Sequence, residues 1–569
     1  MIRLLVNRKQ LIILVAMITA VALLFCALYL TRPKVEQEDT TDLEGTESEE
    51  VHPIALIADM LAQIDRQAEI DEMLLAELNS GAYSFDDPLV VVDPYGMSPL
   101  TALVLFTSDE PLNVSVHVQG KTELADVDFT FDGYNTSHQI PVYGLYPGEL
   151  NTVWLSAVTP PGVMREIVLE IQTDPLPLWL EKNIIITDLE LPDNYQPGFN
   201  FTFVQKTAFD VNGEYRWFYE STAVLQGTTI YGYNGGNIIL SLGSTHEGDS
   251  LIYEINEFGK ILRVLYSPYG IHHDITTTEG GNLIVTGSYG ETREDLIYEI
   301  DIDSGRIINT LDLKRLLQRT RTSNSPEYST TDWFHNNSII YYNGEIIISG
   351  RYQSAIVKLT WPEGQLEWIL SNHAGWNQMF QKYLLTPIGN GFEWSYCQHS
   401  IELLPDLDNN PDTIDIMLFD NGNTRFTYER ELMRAAAANE VIKPENYSRT
   451  VHYRINEKEN TVEQIWQFGK ELGENYHSSW RGDANLLDNG NILGVFDRNI
   501  SQYGGDFNTN FIEVARSGSI IWEAYATSTD SIGTYSAYRC ERLQLYNFAA
   551  NNLQIGVPVI NLIPEVMLS

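Results

Sequence analysis

The chain of 569 residues carries a formal net charge of −42. Its length exceeds what one hydrophobic core usually supports, so we expect two or three folded units. Such an acidic chain argues against nucleic-acid binding, and an anionic substrate would need a local group of cationic side chains. The three cysteines are too few for a disulfide framework. Cys26 lies in an apolar N-terminal run, whereas Cys397 and Cys540 can pair or remain free.

The N-terminus has the pattern of a membrane anchor. Arg3, Arg8 and Lys9 precede residues 11–30, which are uncharged and mostly apolar. A helix of that length crosses the ~30 Å hydrocarbon layer. Residues 1–34 are therefore predicted to anchor the chain, with the N-terminus in the cytoplasm and the rest exported to the periplasm or cell surface. A cleaved signal peptide is the alternative; the long apolar run and the lack of a clear cleavage site disfavour it.

Two short segments follow the predicted anchor. Residues 35–52 are rich in Glu, Asp, Ser and Thr without hydrophobic periodicity, which predicts a disordered acidic stalk. Pro53 begins a helical pattern that Gly81 ends, so residues 53–81 are predicted to be helical. Its apolar residues fall near one face, which favours a packing helix over a coiled coil: Ile54, Ile57, Leu61, Ile64, Leu74 and Leu78.

The next segment, residues 88–177, reads as a small β-sandwich. It contains seven short strand-like runs separated by turn residues, and Pro175 and Pro177 mark its end. Four of these runs are Leu100–Phe106, Leu112–Gln119, Asp126–Phe131 and Ile167–Gln172.

Residues 185–569 contain an internal repeat. A glycine-initiated strand, often closed by Trp, ends at Trp217, Arg263, Asn309, Trp368 and Trp522, and a degenerate sixth copy ends at Trp466. A second strand pattern precedes it in four units, beginning at Gly236, Gly281, Gly344 and Gly490. Six closing strands predict an all-β chain with a six-bladed β-propeller behind the sandwich. The run Arg539–Phe548 is expected to join the first blade, and a helix is expected over Tyr428–Val441.

Aligning the repeats on these strands brings histidines together. Gly281 pairs with Gly344, so His272 falls opposite His335 and Asp274 opposite Asn337. His399 precedes the corresponding strand of the next blade. The starts of the inner strands converge on the central channel, and Arg351 offers a planar fork of donors for the oxygens of an anion. The residues alone leave three interpretations open: a metal site completed by Asp274, histidines that serve packing only, or a nucleophile with anion-binding donors.

Several ordered motifs across residues 88–550 resemble those of the bacterial arylsulfate sulfotransferases that use no nucleotide sulfate donor. The residues that carry the resemblance are Asp93–Gly96, Pro99–Ala102, Asp332–Ser338, Ser349–Val357, Gln398–Ser400, Leu418–Arg425, Tyr447–Arg449, Tyr453–Ile455 and Glu463–Lys470. The resemblance implies a six-bladed propeller behind an N-terminal β-domain. It also implies transfer of a sulfuryl group from an aryl sulfate donor to a phenolic acceptor, without cofactor or metal.

The resemblance further implies a role for each site residue. His399 would attack sulfur and become a sulfohistidine in a ping-pong reaction. His335, Asn337 and Arg351 would bind the sulfate group. The family's remaining site histidine corresponds to His272 in the repeat alignment. An alignment shifted by one residue would give His273 instead.

Other features implied by the resemblance concern contacts outside the sulfate site. Tyr396 and Tyr538 are candidates to stack on phenol rings. Some family members have a disulfide near the catalytic motif, whereas here Cys397 has no partner close in sequence. A homodimer through the β-domain is compatible with the family, although no interface is identifiable in the sequence.

Two other classes of function compete with a transferase. One is a non-catalytic extracytoplasmic propeller that displays a binding face. The other is a metal-dependent hydrolase or lyase that uses the same histidines. Neither class requires a sulfohistidine, so chemical turnover distinguishes them.

Overall fold

The computed structural model describes residues 53–180, 184–189, 192–220, 229–234, 237–243, 248–319, 321, 330–423, 425, 446–499, 507–527, 536–546 and 555–564. The predicted anchor, the acidic stalk and the predicted helix at 428–441 lie outside these residues. Within the described ranges the chain is mostly β. No helix there is long and apolar enough to cross a membrane.

The described chain begins with the helix α1 (Pro53–Asn79), as the sequence predicts. Ile57, Leu74 and Leu78 bury one face of it. On the same helix, the Asp71 carboxylate lies 2.6 Å from the ammonium of Lys260. The Gln67 side chain accepts from the backbone N–H of Ile261 at 2.9 Å. The helix is therefore packed against the repeat region, in agreement with the packing interpretation.

The N-terminal β-domain has six strands: β1 (Leu89–Val92), β2 (Ala102–Val118), β3 (Val127–Thr130), β4 (Asn135–Val142), β5 (Leu150–Val158) and β6 (Met164–Gln172). The expectation of seven short strands is wrong in one respect, because the first two runs quoted above belong to the single long strand β2. A register irregularity between Thr107 and Leu112 bends β2 where the exposed polar residues suggested a turn. Its first half pairs with β1 and β4, and its second half with β3 and β5.

The remaining strands form six further sheets of four or five strands within the described residues. The first contains β8 (Phe199–Thr202), β9 (Thr207–Phe209), β10 (Tyr215–Phe218) and β32 (Cys540–Leu543). The second contains β11 (Thr229–Asn234), β12 (Asn237–Gly243), β13 (Ser250–Ile255), β14 (Ile261–Ser267) and β33 (Ile560–Leu562). The third contains β15 (Ile275–Thr277), β16 (Leu283–Tyr289), β17 (Thr292–Ile300) and β18 (Ile307–Asp312).

The last three sheets complete the repeat region. The fourth contains β19 (Asn336–Tyr342), β20 (Glu345–Gly350), β21 (Ala355–Thr360) and β22 (Leu366–Ser371). The fifth contains β23 (Thr386–Ile388), β24 (His399–Leu403), β25 (Thr413–Asp420), β26 (Arg449–Asn456) and β27 (Thr461–Phe468). The sixth contains β28 (Asp483–Leu486), β29 (Ile492–Asn499), β30 (Phe507–Val514), β31 (Ile520–Thr527) and β7 (Ile184–Asp188). Short 3₁₀ segments lie at Glu123–Ala125, Pro192–Asn194, Leu313–Arg315, Gln381–Tyr383 and Lys470–Tyr476.

The two repeated patterns occupy equivalent strands. The glycine-initiated closing pattern forms β10, β14, β18, β22, β27 and β31, and the preceding pattern forms β12, β16, β20 and β29. The predicted C-terminal pairing also exists, since β32 pairs with β8 of the first sheet. In addition, β7 pairs with β31 of the last sheet. The two ends of the repeat region are therefore joined by strand pairing.

Tryptophans of the closing strands tie successive sheets together. The indole N–H of Trp217 donates to the Glu257 carbonyl of the next repeat at 2.7 Å. Trp522 of the last repeat donates to the Val211 carbonyl of the first at 3.0 Å. Both rings are fully buried. Each indole thus satisfies its donor inside an interface between neighbouring sheets.

The first strands of the sheets bring the functional residues together. Strand β19 lies against β15 on one side and β24 on the other, and β24 lies against β28. Side chains at the beginnings of these strands therefore meet at one end of the sheets. The second strands run antiparallel to the first, so residues that follow β20 and β25 reach the same place.

Candidate active site

Four histidines and a tyrosine meet where the first strands of four sheets begin. His272 and His273 precede β15, His335 precedes β19, His399 opens β24, and Tyr538 precedes β32. His273, His335 and Tyr538 have positive φ angles of 60°, 57° and 58°. Such left-handed backbone is costly for residues with a side chain, and it recurs here in three different sheets. The fold thus holds these side chains in conformations that the chain would not choose locally.

The histidine rings lie within a few ångströms of one another. The ring centroids of His273 and His335 are 4.8 Å apart, and those of His272 and His273 are 3.7 Å apart. The His273 ring lies 6.3 Å from that of His399. Nε2 of His273 is 3.0 Å from Nε2 of His335. His273, rather than the His272 chosen by the repeat alignment, therefore lies between His335 and His399.

A buried carboxylate, Glu294, lies behind this cluster. One of its oxygens is 2.7 Å from Nδ1 of His335, and the other is 3.0 Å from Nε2 of His272. A second carboxylate, Asp332, lies 2.9 Å from Nδ1 of His335. The Glu294 side chain is 1% exposed and its φ is 56°. Both acids therefore favour a positive charge on the imidazole of His335.

Asn421 determines which nitrogen of His399 is available. The Asn421 amide nitrogen donates to the carbonyls of Ser478 and Arg481, each at 2.8 Å. Both of its N–H groups are thereby used, so its oxygen faces Nδ1 of His399, at 2.7 Å. An amide oxygen only accepts, and Nδ1 must therefore carry the hydrogen. The lone pair of neutral His399 is then on Nε2.

The remaining predicted anion-binding residues also lie near His399. The side-chain N–H of Asn337 donates to the carbonyl of Gln398, the residue before His399, at 2.8 Å. Arg351 follows β20, and its backbone N–H donates to the His335 carbonyl at 3.1 Å. One guanidinium nitrogen of Arg351 donates to the Ser479 carbonyl at 3.2 Å. Asn337 therefore also supports the backbone at the start of β24.

The electrostatic environment separates the charge states of the histidines. Burial, reinforced by the positive charge of Arg351, holds the pKa of His399 well below its usual value. Burial and the neighbouring histidines do the same to the pKa of His273. Burial also acts to lower the pKa of His335, but Glu294 and Asp332 outweigh it and raise that pKa to about 9. At neutral pH His399 and His273 are therefore uncharged and His335 is an imidazolium.

The side chains with metal-ligand chemistry already bond to one another. The donor atoms of His272, His273 and Glu294 lie within 4.8 Å of one another, as do those of Glu294, Asp332 and His335. Glu294 pairs with His272 and His335, and Asp332 pairs with His335. These ion pairs explain why the atoms of both sets lie so close together. Asp274, the acid suggested by the sequence for a metal site, instead accepts from the guanidinium of Arg539 at 2.7 Å. We therefore interpret the cluster as a network of ion pairs and hydrogen bonds.

Other sequence expectations concern the surroundings of the site. Tyr538 lies close to the cluster, because its hydroxyl is 2.8 Å from Nδ1 of His273. Tyr396 instead faces the guanidinium of Arg425, 5.6 Å from its ring centroid. Cys397 and Cys540 are both buried, and no disulfide joins them in the described part of the chain.

Sequence reasoning missed Glu294, Asp332 and Asn421 as functional residues. Asp332 and Asn421 stand inside motifs quoted for the resemblance, but no role followed from them. Glu294 and Asp295 lie near the start of strand β17, and both are buried. A charged pair in a buried strand was the available signal for Glu294.

Comparison with known proteins identifies the family. The family model described as Arylsulfotransferase (ASST) matches residues 198–539, and an Arylsulfotransferase Ig-like domain matches residues 89–173. Arylsulfate sulfotransferase AssT of Lelliottia amnigena is 27% identical over 515 residues, which cover 68% of this chain and 81% of that protein. The AssT of Escherichia coli O6:H1 is 25% identical over 510 residues, with the same coverage of 68% and 81%.

Solved structures are less informative. An ACO/RPE65 chimera aligns over 80% of this chain and 96% of its own at 10% identity, but the TM-score of 0.28 carries no argument. The family models together cover the N-terminal β-domain and most of the repeat region. The chain belongs to the arylsulfotransferase family and is therefore a sulfotransferase enzyme.

Proposed function

We propose that this protein transfers a sulfuryl group from an aryl sulfate to a phenol by a ping-pong mechanism in which His399 is the nucleophile. The observation that carries the proposal is the bond between Asn421 and Nδ1 of His399. It leaves the Nε2 lone pair for attack on sulfur. A pKa well below the usual value keeps that imidazole neutral, as a nucleophile requires.

The two half-reactions use the same groups in reverse. Nε2 of His399 forms a bond to sulfur while the bond between sulfur and the aryl oxygen breaks, and the phenoxide leaves. A second phenol then attacks the sulfohistidine, so that Nε2 regains its lone pair. Because acceptor and sulfuryl group are held on one protein, the second transfer is effectively intramolecular.

Cationic and donor groups stabilise the sulfuryl oxygens during transfer. Arg351 supplies a guanidinium near His399, and His335 supplies an imidazolium. Asn337 supports the Gln398 carbonyl and so the position of His399. The ring of His273 lies 6.3 Å from that of His399, so we assign to His273 the sulfate-binding role first given to His272.

The six sheets of the repeat region are proposed to form a closed six-bladed propeller. The pairing of β32 with β8 and of β7 with β31 supports this arrangement. The bond from Trp522 to the Val211 carbonyl supports it independently. In a propeller the first strands surround the axis, which is where the four histidines would then lie.

The location and the partners of the enzyme are also proposals. The basic residues before the apolar run at 11–30 support an extracytoplasmic enzyme with an N-terminal membrane anchor. The substrates would be an aryl sulfate donor and a phenolic acceptor, and no cofactor is required by the steps above. Dimerisation through the N-terminal β-domain is proposed on family resemblance alone.

One experiment separates the candidate functions. The purified protein is incubated with 4-nitrophenyl sulfate, with and without phenol, before and after treatment with a chelator. Sustained release of 4-nitrophenolate that requires phenol and survives chelation supports the proposal. Release into water that chelation abolishes would instead indicate a metal-dependent hydrolase, and the absence of any turnover would indicate a binding module.

The variant that tests the proposed nucleophile is His399→Ala. We expect it to lose transfer while its circular dichroism spectrum and thermal transition stay close to those of the wild type. The control is His117→Ala, a histidine of the N-terminal β-domain that pairs with Asp128. An active His399→Ala protein would contradict the assignment.

A further inference from the structure

A continuous chain of polar contacts runs through the site and is not explained by sulfate binding. The Tyr538 hydroxyl lies 2.8 Å from Nδ1 of His273. Nε2 of His273 lies 3.0 Å from Nε2 of His335. Nδ1 of His335 lies 2.7 Å from Glu294 and 2.9 Å from Asp332. The chain thus connects a hydroxyl near His399 with two carboxylates behind the cluster.

Counting hydrogens gives two possible arrangements for this chain. Two nitrogens of imidazole rings at 3.0 Å cannot both present lone pairs, so either His273 or His335 carries a hydrogen on Nε2. If His335 carries it, His335 is an imidazolium and Nδ1–H of His273 donates to the Tyr538 oxygen. If His273 carries it, His335 is neutral and the Tyr538 hydroxyl donates to Nδ1 of His273. The two arrangements differ by one proton, released or taken up at Tyr538.

We propose that Tyr538, His273 and His335 form a proton relay for the phenol oxygen, in which Tyr538 is the catalytic acid and base and Glu294 is a positioning residue that anchors the far end. The proposal rests on the transfer reaction proposed above. The ring centroids of Tyr538 and His399 are 6.1 Å apart. The Tyr538 ring therefore lies next to the imidazole that is proposed to attack sulfur.

The relay balances both half-reactions without another reactant. When the donor phenoxide leaves, Tyr538 gives it a proton and takes one from Nδ1 of His273. His273 takes one at Nε2 from His335, which becomes neutral. When the acceptor phenol attacks the sulfohistidine, its proton passes to Tyr538. One proton then returns from Tyr538 to Nδ1 of His273, and another from Nε2 of His273 to His335. His335 is then an imidazolium again, paired with Glu294.

The charge distribution agrees with this resting arrangement. Burial opposes a charge on His335, but Glu294 and Asp332 raise its pKa to about 9. Burial and the neighbouring cations keep the pKa of His273 well below its usual value. The proton therefore rests on the ring next to the carboxylates and is one transfer away from His273.

Other charged or titratable groups also face the relay. They are His272, Asp332, Arg351, Arg481, Asp497 and Arg539. Arg351 and Arg539 are permanently charged over the ordinary pH range, so they set a constant field. Replacing Glu294 removes a negative charge that lies beside His335 and keeps all three rings of the relay.

The first test replaces Tyr538 by phenylalanine and compares two donors. Phenyl sulfate releases a basic phenoxide that needs a proton, whereas 4-nitrophenyl sulfate releases a weakly basic one. We expect Tyr538→Phe to lower the rate of phenol release from phenyl sulfate, measured in a single turnover without acceptor, at least about tenfold more than the corresponding release from 4-nitrophenyl sulfate. The control is Tyr546→Phe, which removes a buried hydroxyl bonded to the Pro141 carbonyl far from the site. Equal losses for both donors in Tyr538→Phe would overturn the relay.

The second test replaces Glu294 by glutamine, which keeps the shape and removes the charge. We expect the alkaline limit of phenyl sulfate turnover to move to lower pH by roughly one pH unit or more. The control is Glu299→Gln, on the same strand and bonded to Asn309 and Trp361. This control shows whether the loss of any buried carboxylate from β17 shifts the pH profile of turnover. An unshifted alkaline limit in an active, folded Glu294→Gln enzyme would overturn the role of Glu294.

Failure of the relay is distinguishable from failure of the transfer reaction. If His399 is not the nucleophile, the His399→Ala enzyme keeps its activity with both donors. If only the relay is wrong, His399→Ala is inactive while Tyr538→Phe treats the two donors alike.

Discussion

Asn421 holds His399 in a single tautomer. The amide oxygen lies 2.7 Å from Nδ1 of His399, and the amide nitrogen is committed to two backbone carbonyls. The amide therefore has no alternative orientation that satisfies its own bonds. The nitrogen that we propose as the nucleophile, Nε2, is thus selected by the residue that directly follows β25, the next strand in the same sheet.

Asn421→Ala is expected to lower the rate of sulfuryl transfer on the order of 10²-fold or more, because His399 can then adopt the unproductive tautomer. Stopped-flow release of 4-nitrophenolate measures the step directly. The control is Asn282→Ala, since Asn282 also bonds through both amide atoms, to Glu299 and to the backbone of Ile302, but lies away from the site. A wild-type rate in Asn421→Ala would show that the amide does not select the tautomer.

Arg351→Lys keeps the positive charge but loses the planar fork. We expect a fall in kcat of about 10²-fold with a smaller change in KM, since the fork acts mainly on charge that develops during transfer. Steady-state kinetics with 4-nitrophenyl sulfate and phenol give both constants. Arg454→Lys is the control, because Arg454 uses its planar fork on the Asp415 carboxylate in the fifth sheet, outside the site. Similar kinetics for Arg351→Lys and Arg454→Lys would argue against a role in transfer.

The pH dependence follows from the raised pKa of His335. The folded-state pKa of about 9 means that the imidazolium is present below that pH and is lost above it. The first half-reaction should therefore weaken as the pH rises through about 9. It is measured as the burst of 4-nitrophenolate without acceptor, so that ionisation of the acceptor phenol does not contribute. A burst rate that stays constant well above pH 9 would mean that the charge on His335 is not used.

The proposed closure of the six sheets into a ring predicts a stability effect. Trp522→Phe removes the bond to the Val211 carbonyl and part of a fully buried ring, and should destabilise the fold by about 1 kcal/mol or more. Urea unfolding monitored by circular dichroism measures it. Trp154→Phe, in the N-terminal β-domain, is the control. A stability equal to wild type in Trp522→Phe would show that this bond contributes nothing to closure.

Much of the fold was predictable because its determinants are local. Repeated glycines and closing tryptophans identify equivalent strands, because a turn followed by an apolar run predicts a strand at the same position of each sheet. The bend within β2 was not predictable. Its exposed residues around Ser108–Glu110 have the composition of a turn, and only pairing with β4 shows that the strand continues.

The site was predictable in its histidines but not in their supporting groups. His335 and His399 follow from their positions at the starts of repeated strands. The repeat alignment missed His273 by one residue. Left-handed backbone at His273 and at His335 is a feature that strand periodicity does not record. Glu294 comes from a third strand, so its contact with His335 depends on tertiary packing that no local pattern records.

The central claim is that His399 carries the sulfuryl group between donor and acceptor. Intact-mass and peptide mass spectrometry, after mixing the enzyme with 4-nitrophenyl sulfate alone and quenching under alkaline conditions, test it most directly. We expect one sulfuryl group per chain, located on His399 and lost when phenol is added. An unmodified enzyme during the burst, or an adduct on another residue, would contradict the mechanism.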